Sequence, residues 1–120
     1  MTLQINQDSH AALSNLLKDR YILFDSHKIL QYLHSKRELI PVLLEAERQI
    51  RKIFIDEKLA LKFIYDPEIA SWKKLIIAIH TQLDADDAFD KLKLLDHGWW
   101  LNASYSVSSD LDIYIDFDEV

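Results

Sequence analysis

The sequence contains no cysteine and only one glycine, and these two shortages exclude several classes of site. Without cysteine, the chain can form no disulfide, no thiolate nucleophile and no cysteine-based zinc site. Gly98 alone cannot supply the glycine-rich loops that let a backbone approach a phosphate, nor the two glycines of the G-x-S-x-G motif. Nucleotide binding through those loops and serine-hydrolase chemistry through that motif are therefore excluded.

Long apolar segments are also missing. The chain has no run of about eighteen apolar residues, and it begins without the basic and apolar stretches of a signal peptide. Of its 120 residues, 49% are hydrophobic and 28% are charged, which is typical of a chain with a packed core. We therefore expect a cytoplasmic protein with no membrane partner and a single domain over residues 1–120. Residues 1–25 are the least regular part and could form a peripheral helical arm.

Acidic side chains are concentrated in the second half of the chain. Residues 1–57 contain eight basic and eight acidic side chains, whereas residues 58–120 contain six basic and twelve acidic ones and so carry the whole net charge of −6. Nucleic-acid binding needs the opposite sign, because its affinity comes largely from lysine and arginine at phosphates. The charge pattern predicts no nucleic-acid partner and favours solubility or a basic protein partner.

Apolar residues recur at helical spacing in three segments. One begins at Ser26, a second begins at Pro41 because proline suits the first turn of a helix, and a third follows Asp84, a residue suited to capping. Gly98 stands where the third helix should end in a left-handed residue. The residues expected to be buried are Ile29, Leu30 and Leu33 in the first helix, Leu43, Ala46, Ile50, Ile53 and Phe54 in the second, and Ala85, Ala88, Phe89, Leu92 and Leu95 in the third.

The period changes to two in three other segments, which predicts β-strands. Residues 58–65 and 74–80 flank the turn Asp66-Pro67-Glu68 and should form an antiparallel hairpin, and residues 111–117 should form a third strand. The helix from Asp84 would connect the second strand to the third. A right-handed crossover would then place the third strand parallel to the second and beside the first.

These elements predict an α+β fold with the order α-β-β-α-β. Two or three helices should cover one face of a three-stranded, mainly antiparallel sheet. Residues 21–24 are apolar and of ambiguous type, and residues 11–17 could form a short helix before them. If residues 21–24 form a fourth strand, the order of elements becomes the ferredoxin-like β-α-β-β-α-β. On the uncovered face, pairs across the strands would be available to Lys58, Lys62 and Lys74 with Asp112 and Asp116.

The last strand carries the most suggestive motif. Asp110-Leu111-Asp112 is similar to the metal-binding strand of minimal nucleotidyltransferases, in which two carboxylates one residue apart hold magnesium, and Gly98 stands a suitable distance upstream. That family follows its glycine with a small residue and takes a third carboxylate from a later strand. Here Trp99 follows the glycine, and no later strand is predicted. We therefore favour an edge strand with a solvated acidic face, which discourages edge-to-edge aggregation.

No residue is predicted to be catalytic or to bind a metal ion or a cofactor. Five acidic residues lie among the last eleven, but alternate residues of a strand stand ~7 Å apart and build no cage for a cation. The five histidines include no H-E-x-x-H pair, and none stands out as the base of a nucleophile.

Two adjacent tryptophans are the most distinctive candidates for an interaction site. Trp99 and Trp100 cannot both enter one core in most backbone conformations, so one should pack under the C-terminal strand and the other should be partly exposed. Exposed tryptophan is typical of interface hot spots, and the alternative is that both rings close the core. On the uncovered face of the sheet, Ile64, Ile76 and Tyr114 would remain in water. These five residues form the predicted interaction site.

Several short motifs between residues 40 and 118 form a distinctive combination. They include the turn Asp66-Pro67-Glu68, the strand Leu75–Thr81 and the sequence Trp99-Trp100-Leu101 after a helix with an acidic start. This combination resembles an uncharacterised family of short cyanobacterial proteins. The family has no established function, so the resemblance implies a bacterial cytosolic setting and no catalytic residue.

The sequence thus leads us to expect a non-catalytic protein-interaction module. A homodimer through the uncovered face of the sheet would bury Ile64, Ile76 and Tyr114. One alternative is an antitoxin or immunity-type inhibitor, whose acidic surface would occupy a basic site on its partner. Another is a small-ligand binder or an enzyme of unrecognised type, which would need a pocket that the sequence does not indicate.

Overall fold

A computed structural model of the chain describes residues 11–107 and 109–117. Residues 11–18 are helical, and we name this segment α1. The elements after it are β1 (Ile22–Phe24), α2 (Ser26–Ser35), α3 (Leu39–Arg51), β2 (Lys58–Asp66), β3 (Ile69–Thr81), α4 (Ala85–Leu95), a π-helical turn (Asp96–Trp100), α5 (Leu101–Ala103), a 3₁₀ turn (Ser104–Ser106) and β4 (Leu111–Phe117).

The four strands form one mixed sheet in the order β1-β2-β3-β4. β1 and β2 are parallel, β2 and β3 form the predicted antiparallel hairpin, and β3 and β4 are parallel. The α+β class is therefore confirmed, and so is the alternative in which residues 21–24 contribute a fourth strand. The order of elements fits the ferredoxin-like β-α-β-β-α-β, although here the two strands of each parallel pair are neighbours in the sheet.

The three-stranded, mainly antiparallel sheet is not confirmed, and the position of the last strand differs from the prediction. Two of the three pairings are parallel, because helices carry the chain from the end of one strand back to the start of the next. The last strand was expected beside the first strand of the hairpin, β2. It pairs with β3 instead, because β1 occupies the outer edge of β2. Its parallel direction is as predicted.

The hydrophobic core lies between the helices and one face of the sheet. α2 and α3 bury the stripes that their apolar spacing predicted, including Leu33 and Ile50. Pro41 lies in the first turn of α3, where its missing N–H costs no hydrogen bond. The sheet residues that join this cluster are Leu59 and Leu61 of β2, Leu75, Ile77 and Ile79 of β3, and Leu111 and Ile113 of β4.

α4 begins as predicted but buries less of its apolar stripe. Asp84 caps it, because the Oδ1 atom of Asp84 accepts a hydrogen bond from the backbone N–H of Asp87 at 2.9 Å. Phe89 was expected in the core and is 47% exposed. Its ring instead meets the edge of Phe117 at the end of β4, with 5.9 Å between the ring centres. The rest of the predicted stripe is buried at Ala88 and Leu95, half-buried at Leu92 and exposed at Ala85.

Gly98 does not end this helix, so the prediction of a left-handed cap was wrong. Gly98 has no positive φ, and a Cβ atom at this position would meet nothing within 4 Å. The helix continues through the π-helical turn, in which the N–H of Leu101 donates to the carbonyl of Asp96 five residues earlier. This wide turn directs Trp100 into the core, where it is 8% exposed.

The β2–β3 hairpin extends beyond the other two strands. β1 pairs only with residues 60–62 of β2, and β4 pairs with β3 from Leu75 onwards, so residues 63–74 project as a two-stranded arm. β1 is short because Asp25 adopts a left-handed conformation (φ 62°, ψ 62°) that turns the chain into α2. The turn of the arm is held by Asp66, whose Oδ1 accepts the backbone N–H of Glu68 at 2.9 Å.

Candidate functional site

The face of the sheet that the helices leave uncovered is the first candidate site, and we call it the open face. Alternate strand residues point to opposite faces, so the neighbours of each core residue point here. The open face consists of Ile22 and Phe24 from β1, Lys58, Ala60, Lys62 and Ile64 from β2, Lys74, Ile76, Ala78 and His80 from β3, and Asp112, Tyr114 and Asp116 from β4.

Ion pairs join the polar side chains of the open face. The Nζ atom of Lys74 lies 2.7 Å from Oδ2 of Asp112, and Nζ of Lys62 reaches across β3 to within 3.3 Å of Oδ2 of Asp116. Nδ1 of His80 lies 3.7 Å from the same oxygen of Asp116. The predicted pairs of Lys62 and Lys74 are thus confirmed. Because solvent reaches these side chains, each pair stabilises the fold by no more than about 1 kcal/mol.

Apolar side chains form the two rims of the open face. At one edge Ile22 is 48% exposed and Phe24 is 50% exposed, and at the other edge Tyr114 is 39% exposed. Ile22, Ala60, Ala78 and Tyr114 stand side by side in register across the four strands. Both alanines are fully buried. They therefore offer no exposed surface, and the apolar exposure of this face lies mainly at its two rims.

The structure brings together only part of the predicted interaction site. Ile64, Ile76 and Tyr114 share the open face, but Ile76 is only 9% exposed and offers little surface. Trp99 and Trp100 lie in the helix layer instead. Trp100 belongs to the core, and half-buried Trp99 packs against that core with its ring 5.6 Å from the ring of Trp100. The contacts of the tryptophan pair are those of residues that close a core.

Two residues of the open face, Ile22 and Phe24, were missing from the predicted site. Four consecutive apolar residues show no alternation with polar ones, so the segment gave no sign of which side chains face the core. In the structure Leu23 packs against the core, and its two neighbours point to the open face. Nζ of Lys62 lies 5.5 Å from the centre of the Phe24 ring, a cation–π contact that connects the β1 rim to the ion pairs.

A groove between α2 and the projecting arm is the second candidate site. It has a volume of about 580 Å³ and adjoins a hollow of about 560 Å³. The groove is lined by Lys28, Gln31, Tyr32 and Ser35 from α2 and by Phe63, Tyr65 and Lys73 from the arm. The hollow shares Tyr32, Ser35 and Lys73 and adds Lys36, Trp72, Lys74, Ser109 and Asp110.

Tyr32 stands where the groove meets the hollow. Its hydroxyl donates to Oδ1 of Asp110 at 3.1 Å and lies 3.4 Å from the carbonyl of Lys73. Burial, together with this hydrogen bond to a carboxylate, raises the pKa of Tyr32 to about 12. Nζ of Lys36 approaches the same oxygen of Asp110 to 3.7 Å. Tyr32 is therefore neutral at physiological pH, and Asp110 is engaged by two side chains.

The Asp110-Leu111-Asp112 motif does not bring two carboxylates to one point. Asp110 faces Tyr32 and Lys36, whereas Asp112 lies on the open face against Lys74. Within residues 11–107 and 109–117, no group of three or more histidine, aspartate or glutamate side chains could hold a metal ion. The contacts of both carboxylates fit the interpretation of an acidic edge strand, here balanced by lysines.

Comparison with known proteins found no matching family model, no similar curated protein and no similar solved structure. The resemblance to cyanobacterial proteins therefore stays a prediction. Among the residues that the structure describes, no helix is long and apolar enough to cross a lipid bilayer.

Proposed function

We propose that this protein is a non-catalytic interaction module that forms a homodimer through the open face of its sheet. One observation carries the proposal: among the residues that the structure describes, the buried core cluster lies on the helix side of the sheet, and the other face holds Ile22, Phe24 and Tyr114, which are 39% to 50% exposed. A second layer over this face would remove their apolar surface from water. We also propose that the protein is cytoplasmic, as expected from its sequence.

The sequence of β3 supports a covered open face. Its central residues, Leu75-Ile76-Ile77-Ala78-Ile79, form an unbroken apolar run. Such runs are typical of strands that are covered on both faces, whereas strands with one wet face alternate apolar and polar residues. β3 therefore has the composition of a strand that is covered on both faces. Its open-face residues Ile76 and Ala78 are already only 9% and 0% exposed within one copy, so a second copy would cover mainly the two rims.

Charge balance favours a second copy of the chain as the other layer. Each copy carries a net charge of −6, so two copies repel each other across most of their surfaces. On the open face, Lys62 and Lys74 are matched by Asp116 and Asp112 in ion pairs. Two such faces can meet without bringing a net excess of one charge together, although the ion pairs lose part of their hydration. An isologous interface uses the same patch on both subunits, which this self-balanced face permits.

Sedimentation equilibrium of the purified chain tests the homodimer. We expect the wild-type chain to be mainly dimeric at about 50 µM, which corresponds to a dissociation constant in the micromolar range. The double variant Phe24→Lys/Tyr114→Lys should be monomeric, because it places two charges in the apolar rims. Phe89→Lys is the matched control, since Phe89 is 47% exposed on α4, away from the open face, and this variant should remain dimeric.

Two results would contradict the proposal. One is a wild-type chain that stays monomeric at about 1 mM, a concentration at which even weak dimers associate. That result would favour the inhibitor alternative, for which the exposed Asp86, Asp87 and Asp90 of α4 offer an acidic surface to a basic partner. The other is a dimer that Phe89→Lys disrupts as strongly as the double variant does, which would place the interface on the helix layer.

A further inference from the structure

We infer that the groove between α2 and the projecting arm is a binding site for a small organic anion that carries an aromatic ring. The groove lies on the helix side of the sheet, between residues of α2 and of β2 and β3. The lining residues of the groove itself do not belong to the open face, whereas Lys74 of the adjoining hollow belongs to both surfaces. The inference holds whether or not the chain forms a dimer.

The charge of the groove is opposite to that of the whole chain. Lys28 and Lys73 line the groove, and no acidic residue is among its described lining residues. The adjoining hollow adds Lys36 and Lys74, which are paired with Asp110 and Asp112. The chain as a whole carries a net charge of −6. A local cluster of positive charge with low-dielectric walls concentrates anions, and in an acidic protein it makes this groove the favoured place for one.

The lysines keep hydrogen-bonding capacity for a ligand. Lys28 lies 3.7 Å from Asp25, and Lys36 lies 3.7 Å from Asp110, so both ion pairs are longer than a charge-assisted hydrogen bond. Lys73 is exposed at the mouth of the groove. An ammonium group has three donors, and one long contact leaves donors available. A carboxylate or phosphate in the groove could therefore accept hydrogen bonds from more than one lysine.

Aromatic rings form one continuous wall of the groove. The ring centres of Tyr32 and Phe63 lie 5.3 Å apart, and those of Phe63 and Tyr65 lie 5.9 Å apart. Nζ of Lys28 lies 4.7 Å from the centre of the Tyr65 ring. Half of the Tyr65 side chain is exposed to solvent, and Trp72 beside the adjoining hollow is 45% exposed. These surfaces suit the apolar ring of a ligand whose charged group meets the lysines.

The size and the supports of the groove also suit a small molecule. Volumes of about 580 and 560 Å³ lie within the range of roughly 300–1,000 Å³ that small-molecule sites occupy. The walls are a helix and a hairpin, which hold side chains more firmly than loops do. The hydroxyl protons of Tyr32 and Ser35 are already donated within the chain, to Asp110 at 3.1 Å and to the carbonyl of Tyr32 at 2.8 Å, so the donors for an anion come from the lysines.

Nuclear magnetic resonance titration of the ¹⁵N-labelled full chain tests the inference. The probes are 2-naphthoate, 2-naphthyl phosphate, the neutral 2-naphthamide and acetate, which separate the ring from the charge and a carboxylate from a phosphate. We expect one or both ring-bearing anions to shift the amide signals of residues 28–36 and 63–74 saturably. The neutral amide, which lacks the charge, and acetate, which lacks the ring, should bind at least about fivefold more weakly.

Three variants assign the binding to the groove. Lys28→Gln and Lys73→Gln should each weaken the anion by about three- to fivefold, because each removes one positive charge at a partly solvated site. Lys93→Gln is the matched control, since Lys93 is an exposed lysine of α4, and it should leave the affinity unchanged. The unshifted signals of each variant report that its fold is intact.

Four outcomes would overturn the inference. The first is the absence of any saturable shift with either ring-bearing anion. The others are equal affinities for the naphthoate and the naphthamide, signal shifts that lie outside the groove, and an equal loss of affinity in the Lys93→Gln variant.

Discussion

The two faces of the sheet come from alternate residues of the same strands, but they are stabilised by different interactions. Leu61 and Ile77 on the covered face are fully buried among apolar side chains. Their neighbours Lys62 and Ile76 point to the open face, where Lys62 forms an ion pair and Ile76 is 9% exposed. The comparison shows that one strand can serve a dry core and a solvated charge network at once, because adjacent side chains never share a face.

The largest difference in stability is expected between substitutions of two adjacent residues that point to opposite faces. Leu61→Ala should lower the free energy of unfolding by about 3 kcal/mol, because it removes buried methyl groups and leaves a cavity. Lys62→Ala should lower it by less than about 1 kcal/mol, because its ion pair is partly solvated. Urea unfolding followed by circular dichroism measures both values. Similar losses in the two variants would show that the faces contribute equally and would contradict the comparison.

A smaller effect is expected where the helix layer meets β4. Tyr32→Phe removes the hydroxyl that bonds Asp110 and should cost about 1 kcal/mol at neutral pH. The pKa of Tyr32 rises from its usual value of 10.0 to about 12 on folding, so the unfolded chain ionises first. The stability that the neutral tyrosine contributes is fully present below pH 10 and is lost as the pH rises towards 12.

Urea unfolding between pH 8 and pH 12 tests the direction of this pH dependence, because the range spans the pKa values of Tyr32 in the unfolded and folded chain. The wild-type chain should lose its advantage over Tyr32→Phe as the pH rises through the window. Tyr105 is 93% exposed, so Tyr105→Phe is the control and should follow the wild type. A constant difference between the wild type and Tyr32→Phe would show that Tyr32 ionises alike in both states.

The smallest effect is expected from a single ion pair of the open face. A double-mutant cycle with Lys74→Ala and Asp112→Ala should give a coupling energy of about 0.5 kcal/mol at low salt. The coupling should fall in 0.5 M salt, where the screening length is only about 4 Å. The measurement belongs at a protein concentration at which sedimentation shows the monomer. A coupling that salt leaves unchanged would mean that the pair is shielded from solvent even without a partner.

Local patterns in the sequence were sufficient for most of the elements and for the faces of three strands. The alternation of Leu61 with Lys62 and of Ile113 with Asp112 assigned the core face of β2 and β4 correctly. The stripes of α2 and α3 were also visible, because helical spacing and burial agree there. These features depend on residues close together in the chain, and such residues carry their own periodic signal.

The features that the sequence did not reveal depend on distant residues or on unusual backbone. β1 has three residues, and its partner in β2 begins at residue 60, so no local pattern marks it. Its end is set by Asp25 in a left-handed conformation, which aspartate adopts far less often than glycine does. The predicted position of β4 was wrong for the same reason, because β1 occupies the edge of β2 at which β4 was expected. The π-helical turn after α4 leaves no periodic trace, and glycine there suggested an end instead.

Of the two candidate sites, the open face was predicted in part and the groove was not. Ile64 and Tyr114 were predicted on the open face because alternation places them there. The groove was not predicted, because Lys28 and Lys73 line one groove only when the arm packs beside α2. Trp99 and Trp100 stood out in the sequence, but their contacts are mainly with the core.

The π-helical turn at Asp96–Trp100 determines how this part of the chain can change in length. Such a turn holds one residue more than an α-helical turn, and the chain is helical both before and after it. Loss of one residue here would close the turn into a regular helix, whereas the same loss within α4 would rotate every later side chain by about 100°. Gly98 is the residue whose deletion should disturb the packing least, because a Cβ atom at this position would meet nothing within 4 Å. A gap opposite Gly98 is therefore where a sequence alignment should allow a shorter relative to differ while it keeps the same helix layer.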